Sequence, residues 1–132
     1  PTLSMFMSCA LFASNCVLIP VDIGSTKALK GVQAILMMVD EVKEAGNNNL
    51  EFLKILVTKL DKRKNAHKKN LASLKSLFGE ENIFKTTIST STIFEQVETM
   101  YCETVFSYRP KSAATHSYRK LCTEFKQLFK GK

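Results

Sequence analysis

A glycine-rich phosphate loop is missing from this sequence, whose five glycines stand apart at 24, 31, 46, 79 and 131 with no GxxxxGK[ST] pattern around any of them. Histidine is scarce, with only His67 and His116, and the four cysteines at 9, 16, 102 and 122 show no CxxC spacing, so neither a zinc site nor a dithiol redox centre is expected. No Ser-His-Asp or Cys-His set can be assigned from order or spacing, so the chain shows no catalytic apparatus of its own. Internal repeats, low-complexity linkers and domain boundaries are likewise absent. Acidic residues are in deficit: 12 Asp and Glu against 19 Lys and Arg leave a formal charge of +7. That balance favours polyanions or acidic membrane surfaces as partners, and it also serves simply to keep molecules apart in solution. Charge is absent altogether before Asp22, which requires the opening stretch to be tested as a signal peptide or a membrane span. It has no basic leader, Ser8, Ser14 and Asn15 interrupt it and Pro20 stands near its end, so both readings are rejected. The chain begins with Pro1 instead of Met, and its first residue is not expected to be the start of a gene product.

What is present reads as one globular domain: 132 residues, 45% hydrophobic and 23% charged, enough for a single core of ordinary size. Leu3 to Ala13 has helical spacing, with Leu3, Met7, Ala10 and Leu11 on one side. Cys16 to Val21 and Phe52 to Thr58 are short continuous apolar runs, as expected of parallel strands covered on both faces. Between them Ala28, Val32, Ile35, Val39 and Val42 step by three and four, predicting a helix over Thr26 to Ala45 with Met37 and Met38 as adaptable core. Asn65 is placed to cap a helix that reaches Phe78 and stops at Gly79, with Leu71, Leu74 and Phe78 on one face. Ile83 to Ile88 reads as a third strand, Ile93 to Met100 as a short helix with Ile93, Val97 and Met100 inward, and Val105 to Pro110 as irregular. A last helix from Ser112 carries Tyr118, Leu121, Phe125 and Leu128 in a 3-4-3 rhythm. Cys9, Cys16 and Cys122 lie among apolar residues and read as small core fillers of a reducing compartment. The order α-β-α-β-α-β-α-α is that of a parallel sheet flanked by helices. Three strands make a thin sheet, so an edge is expected either to be covered by a partner or to continue into sequence outside this chain.

The most informative stretch is Ile55 to Asn65, where an apolar strand ends at Thr58 and an acid-base cluster begins. Open α/β sheets place ligands at the carboxyl ends of their strands, so Thr58 and Asp61 are expected to face a crevice. Thr58-Lys59-Leu60-Asp61 resembles the base-reading TKxD motif of GTPases, although four residues at a strand end also make a plain turn. Lys59, Lys62, Arg63, Lys64, Lys68 and Lys69 are opposed locally by Asp61 alone. Such density suits a phosphate backbone, and it is equally the composition of a hydrated helix start, where the helix dipole disfavours cations. His67 and His116 read as surface residues.

Several segments in collinear order resemble the ParA/Soj-type partition ATPases, the deviant-Walker, MinD-related family. Pro1-Thr2-Leu3-Ser4 is similar to its P-S-L-G, Val17 to Val21 to V-I-I-P-V, and Ala28-Leu29-Lys30-Gly31 to A-L-E-G. Ile55 to Asn65 resembles I-L-L-T-M-Y-D-x-R-T-N, aligning Thr58, Asp61, Arg63 and Asn65; Leu77 to Ile88 resembles H-F-G-D-K-V-F-K-T-V-I. Ser107 to Phe125 resembles L-Y-D-P-K-S-x-G-A-x-A-Y-x-x-L-A-x-E. The resemblance implies the carboxyl-terminal half of a P-loop NTPase-like, Rossmann-like three-layer domain, occupying residues 1–132 as one unit. The phosphate loop and both catalytic aspartates would precede Pro1, and the chain alone is expected to be inactive and to bind no cofactor tightly. It further implies an intact protein that binds ATP and Mg, forms a homodimer, binds DNA without sequence preference and releases it when a ParB-like activator stimulates hydrolysis. Such a protein is cytoplasmic and nucleoid-associated, with no membrane role expected. Thr58, Asp61 and the loop that opens at Ser89 would lie near the adenine, while Arg63 corresponds to a DNA-contacting arginine with Lys62, Lys64, Lys68 and Lys69 in the same patch. The sequence departs from the family at Ser89-Thr90-Ser91-Thr92, where P-R-N-V is usual, which removes the proline beside the base and both arginines of that I-P-R-N-V-R segment. Two other readings stay open: a non-catalytic DNA-binding or interaction module, and a GTPase fragment.

Overall fold

The computed structural model describes residues 2–25, 27–99 and 104–130, with backbone alone for residues 2–4. Met100 and Cys102 lie outside the described residues. The elements run α1 (Thr2–Phe12), β1 (Cys16–Asp22), α2 (Ala28–Glu44), β2 (Glu51–Thr58), α3 (Asn65–Phe78), α4 (Thr92–Thr99), α5 (Val105–Tyr108) and α6 (Ala113–Gln127), with one 3-10 turn at Glu80–Asn82 after α3. Strands β1 and β2 pair in parallel, and Asp22 stands opposite Thr58, so the two carboxyl ends finish in step. Alternation of side chains then builds three layers. Ile19, Val21, Ile55 and Val57 point to one face, where Val32 of α2 and Leu74 of α3 close over them. Leu56 points to the other, packing with Phe84 and Ile88 beneath Phe94 of α4, Tyr118, Leu121 and Phe125 of α6, and Leu128 at its end. The expected α/β class with helices on both faces of a parallel sheet is therefore observed, and the continuous apolar runs follow from burial on both sides. Among the described residues no helix is long and apolar enough to cross a membrane.

The third strand expected over Ile83–Ile88 is a broken ribbon instead. It meets the sheet through bridges Ile55–Ile83 and Leu60–Ser89, and the Phe84 and Ile88 amides donate to the Ile55 and Val57 carbonyls, each at 2.9 Å. Four residues of ribbon thus span two of β2, so the segment between must bulge. The bulge is held by α6: the Lys85 and Thr86 amides donate to the two carboxylate oxygens of Glu124 at 2.8 and 2.9 Å. Local β propensity was a fair guide to extended backbone, but a distant carboxylate satisfied the amides that a ladder would have used.

Burial pulls the Glu124 pKa up, but donation from the Lys85 and Thr86 amides, the Thr86 hydroxyl and the nearby Lys54 charge outweigh it and hold it below the ordinary value. The folded-state pKa lies below the unfolded one, so this contribution to stability is complete above the unfolded value and is lost as pH falls through the folded one. Glu124→Ala is expected to lower stability by about 1–2 kcal/mol at neutral pH, with a difference from the unsubstituted chain that shrinks on acidification. Urea melts at neutral and acidic pH check both; an equal loss at both would contradict the assignment.

Other expectations are corrected by packing. Val105–Pro110, read as irregular, holds α5, because Thr104 and Ser107 exchange side-chain and backbone bonds in a capping box. Cys9 and Cys122 are exposed and Cys16, at the start of β1, is half-buried, so none of the three is a buried core filler. Met37, read as adaptable core, is exposed because it falls off the Val32-Val39-Val42 stripe. Among the described side chains of α1 only Leu11 is buried, while Met7 and Ala10 face outward. Its carboxyl end is fastened by Asn47, whose side-chain amide donates to the Leu11 and Ser14 carbonyls at 2.9 Å.

Candidate functional site

Because β1 and β2 end together, three loops converge at their carboxyl ends: Asp22 to Ser25, Thr58 to Lys64 and Ile88 to Ser91. Bonds across the strands knit the corner. The Thr58 hydroxyl donates to the Val21 carbonyl at 2.9 Å, and the Ile23 amide to the Thr58 carbonyl at 3.2 Å. Lys59 adopts the left-handed region, with φ of 53°, at a cost of roughly 1 kcal/mol for a residue bearing a Cβ. Its neighbours compensate: Lys59 Nζ lies 3.1 Å from Asp22 Oδ2, and its carbonyl accepts the Thr90 hydroxyl at 3.0 Å. The hydrogen bond from Lys59 holds the Asp22 carboxyl below its usual pKa, against a smaller opposing effect of burial and with help from the Gly24 amide.

This corner opens into a pocket of about 440 Å³. Thr58, Lys59, Ser89, Thr90 and Ser91 form a polar rim, and Phe94 and Tyr118 form an aromatic wall, edge to face with centroids 5.8 Å apart. A planar heterocycle with hydrogen-bonding edges is the kind of ligand such a lining accommodates. Thr58 and Ser89, expected to stand together from positions 31 residues apart, do so. Asp61 does not line the pocket; its carboxylate oxygens accept the Arg63 Nε and Nη2 hydrogens, each at 3.1 Å, and Oδ1 also accepts the Arg63 amide at 3.0 Å. Those bonds, the guanidinium first and the amide second, lower the Asp61 pKa to about 2. The pair presents Arg63 outward, its side chain 91% exposed.

Lys62, Arg63, Lys64, Lys68 and Lys69 are all exposed around the start of α3. Asn65 is not the cap that its type suggested: Lys64 occupies the cap position and no side chain caps the helix, leaving first-turn amides beside a cluster of cations. Their mutual repulsion and the dipole both favour an arriving anion.

His67, read from sequence as a surface residue, is buried. Its Nδ1 accepts the Asp61 amide at 3.1 Å, which places the ring proton on Nε2, and the ring stands so close to Gly24 that a Cβ there would lie 3.2 Å from Nε2. Asn70 donates to the Ile23 carbonyl at 2.9 Å. The basic helix is thereby tied both to the turn leaving β2 and to the loop leaving β1. A signal for His67 was available: positions 67, 71, 74 and 78 share one helical face, and the other three are apolar. His116, by contrast, is exposed as expected.

Comparison with known proteins gives two results. A family model described as an AAA domain matches residues 1–52. The chain is similar to the chromosome-partitioning ATPase Soj of Thermus thermophilus, 33% identical over 124 residues, which cover 94% of this chain and 49% of Soj. The chain therefore spans about half the length of the curated relative it matches.

Proposed function

Since the chain belongs to the ParA/Soj-type partition ATPases, we propose that it is the carboxyl-terminal portion of one, the part that receives the nucleotide base and grips DNA. In this reading the intact protein binds MgATP, dimerises, holds DNA without sequence preference and lets go after hydrolysis stimulated by a ParB-like partner. One observation carries it: the single turn leaving β2 supplies both the pocket rim, through Thr58 and Lys59, and the start of the cationic patch, through Lys62, Arg63 and Lys64. Contacts to phosphate need charge more than fixed geometry, which suits four exposed lysines beside one ordered guanidinium.

The residues fit the ligand in part. The hydroxyl rim and aromatic wall suit adenine, with Thr58 and Ser89 at its edge; Asp61 acts by orienting Arg63. Among the described residues no three His, Cys, Asp or Glu side chains gather as metal ligands, and the sequence has no glycine-rich loop; in this reading the triphosphate and its magnesium are held by the other half of the intact protein. The test is fluorescence anisotropy of the chain with two short duplexes of unrelated sequence across a salt series. Equal affinities and a steep negative slope of log K against log salt are expected. Sequence-dependent binding, or none at low salt, would sink the DNA half of the reading.

A further inference from the structure

Lys85 sits on the bulge of the third ribbon and lines two grooves at once. The first, about 420 Å³, also holds Lys54, Lys62 and Lys75; the second, about 470 Å³ and widely open, also holds His116, Arg119 and Lys120 of α6. Three carboxylates, Glu80, Glu81 and Glu124, line the same grooves against six Lys and Arg, which leaves an excess of positive charge. Glu80 pairs with Lys75 at 2.8 Å, and both oxygens of Glu124 accept the Lys85 and Thr86 amides. Among the described residues no carboxylate lies within 4 Å of the side-chain nitrogens of Lys62, Lys85, Arg119 or Lys120. Arg119 is further ordered by stacking 5.4 Å above the Phe106 ring.

We propose that the surface running from Lys62 across Lys85 to Arg119 and Lys120 is a second track for the phosphate backbone of duplex DNA, continuous with the patch at the start of α3. This rests on the DNA reading above and adds to it residues from two further parts of the chain, Lys85 of the third ribbon and Arg119 and Lys120 of α6. A wide cationic trough suits an extended polyanion better than a compact ligand, which would leave most of these charges uncompensated. An acidic lipid surface shares the charge requirement, but insertion calls for apolar side chains, and the second groove is lined by none.

The experiment compares the unsubstituted chain with Lys85→Gln/Arg119→Gln/Lys120→Gln, using anisotropy on a short duplex across a salt series and sedimentation with phosphatidylserine vesicles. Each phosphate contact contributes about 0.9 to the salt slope, so the triple variant is expected to bind DNA with a slope shallower by about 2–3. Lys85→Gln and Lys120→Gln singly, each shallower by about 1, keep the test open should the triple variant melt early. Normal DNA binding by the unsubstituted chain with unchanged slopes in all variants overturns the second track alone. Absence of salt-sensitive DNA binding by the unsubstituted chain overturns the DNA reading and this inference together. Vesicle binding that the substitutions abolish while DNA binding persists assigns the surface to lipid and overturns it as well.

Discussion

Phe84→Ala is expected to destabilise the chain by about 3–5 kcal/mol. Phe84 is 2% exposed and is the largest of the fully buried side chains. It joins Leu56 of β2 to Ile88 and the inner side of α6, while its amide donates to Ile55. Truncation removes the hydrophobic contact and leaves a cavity that the β2 backbone and α6 cannot both close. A domain of this size has a total stability of about 5–15 kcal/mol, so the loss is a large fraction of it. Equilibrium urea unfolding followed by circular dichroism measures it, and a change below about 1 kcal/mol would show that the ribbon and α6 are not packed as described. The effect extends to the site, since Tyr118 and Phe94 pack on the same cluster and form the pocket wall. Phe84→Leu, which retains most of the volume, should recover much of the stability.

Replacing Lys62, Arg63, Lys64, Lys68 and Lys69 together by Gln should weaken duplex binding by about a hundredfold or more at moderate salt and make the salt slope shallower by about 4–5. These side chains are exposed, so thermal stability should change little, and relief of their repulsion near the positive end of α3 should raise it slightly. Arg63→Ala alone should cost more than Lys69→Ala, because the Asp61 bonds hold the guanidinium in one orientation whereas an unpaired lysine must be ordered on binding. Anisotropy titrations of the two single variants decide this. Equal losses would mean that the pair contributes charge without pre-organisation.

Much of the architecture was legible before the fold was known, for a definite reason. Both strands are covered on two faces, so their apolar runs are unbroken, and α2, α3 and α6 carry stripes whose period survives in a single sequence. The third ribbon was harder. Its Thr and Ile content announces extended backbone, but whether extended backbone pairs depends on which acceptor its amides find, and here that is Glu124. His67 stands amid lysines and so resembles a surface position, although it shares a face with Leu71, Leu74 and Phe78; its acceptor role toward the Asp61 amide exists only in the fold.

At the site, the strand-end turn and the basic cluster were readable because they are contiguous in the chain. Sequence alone therefore determined the layers of the fold, the place where β2 yields to a turn and the sign of the charge beside it, all properties carried by near neighbours. Tertiary structure alone decided that Asp61 turns to Arg63, that Thr58 and Ser89 share one pocket with Phe94 and Tyr118, and that Lys62, Lys85, Arg119 and Lys120 lie on adjoining grooves. Hydrogen-bond partners and surface adjacency depend on where distant segments come to rest, and periodicity and composition do not record that.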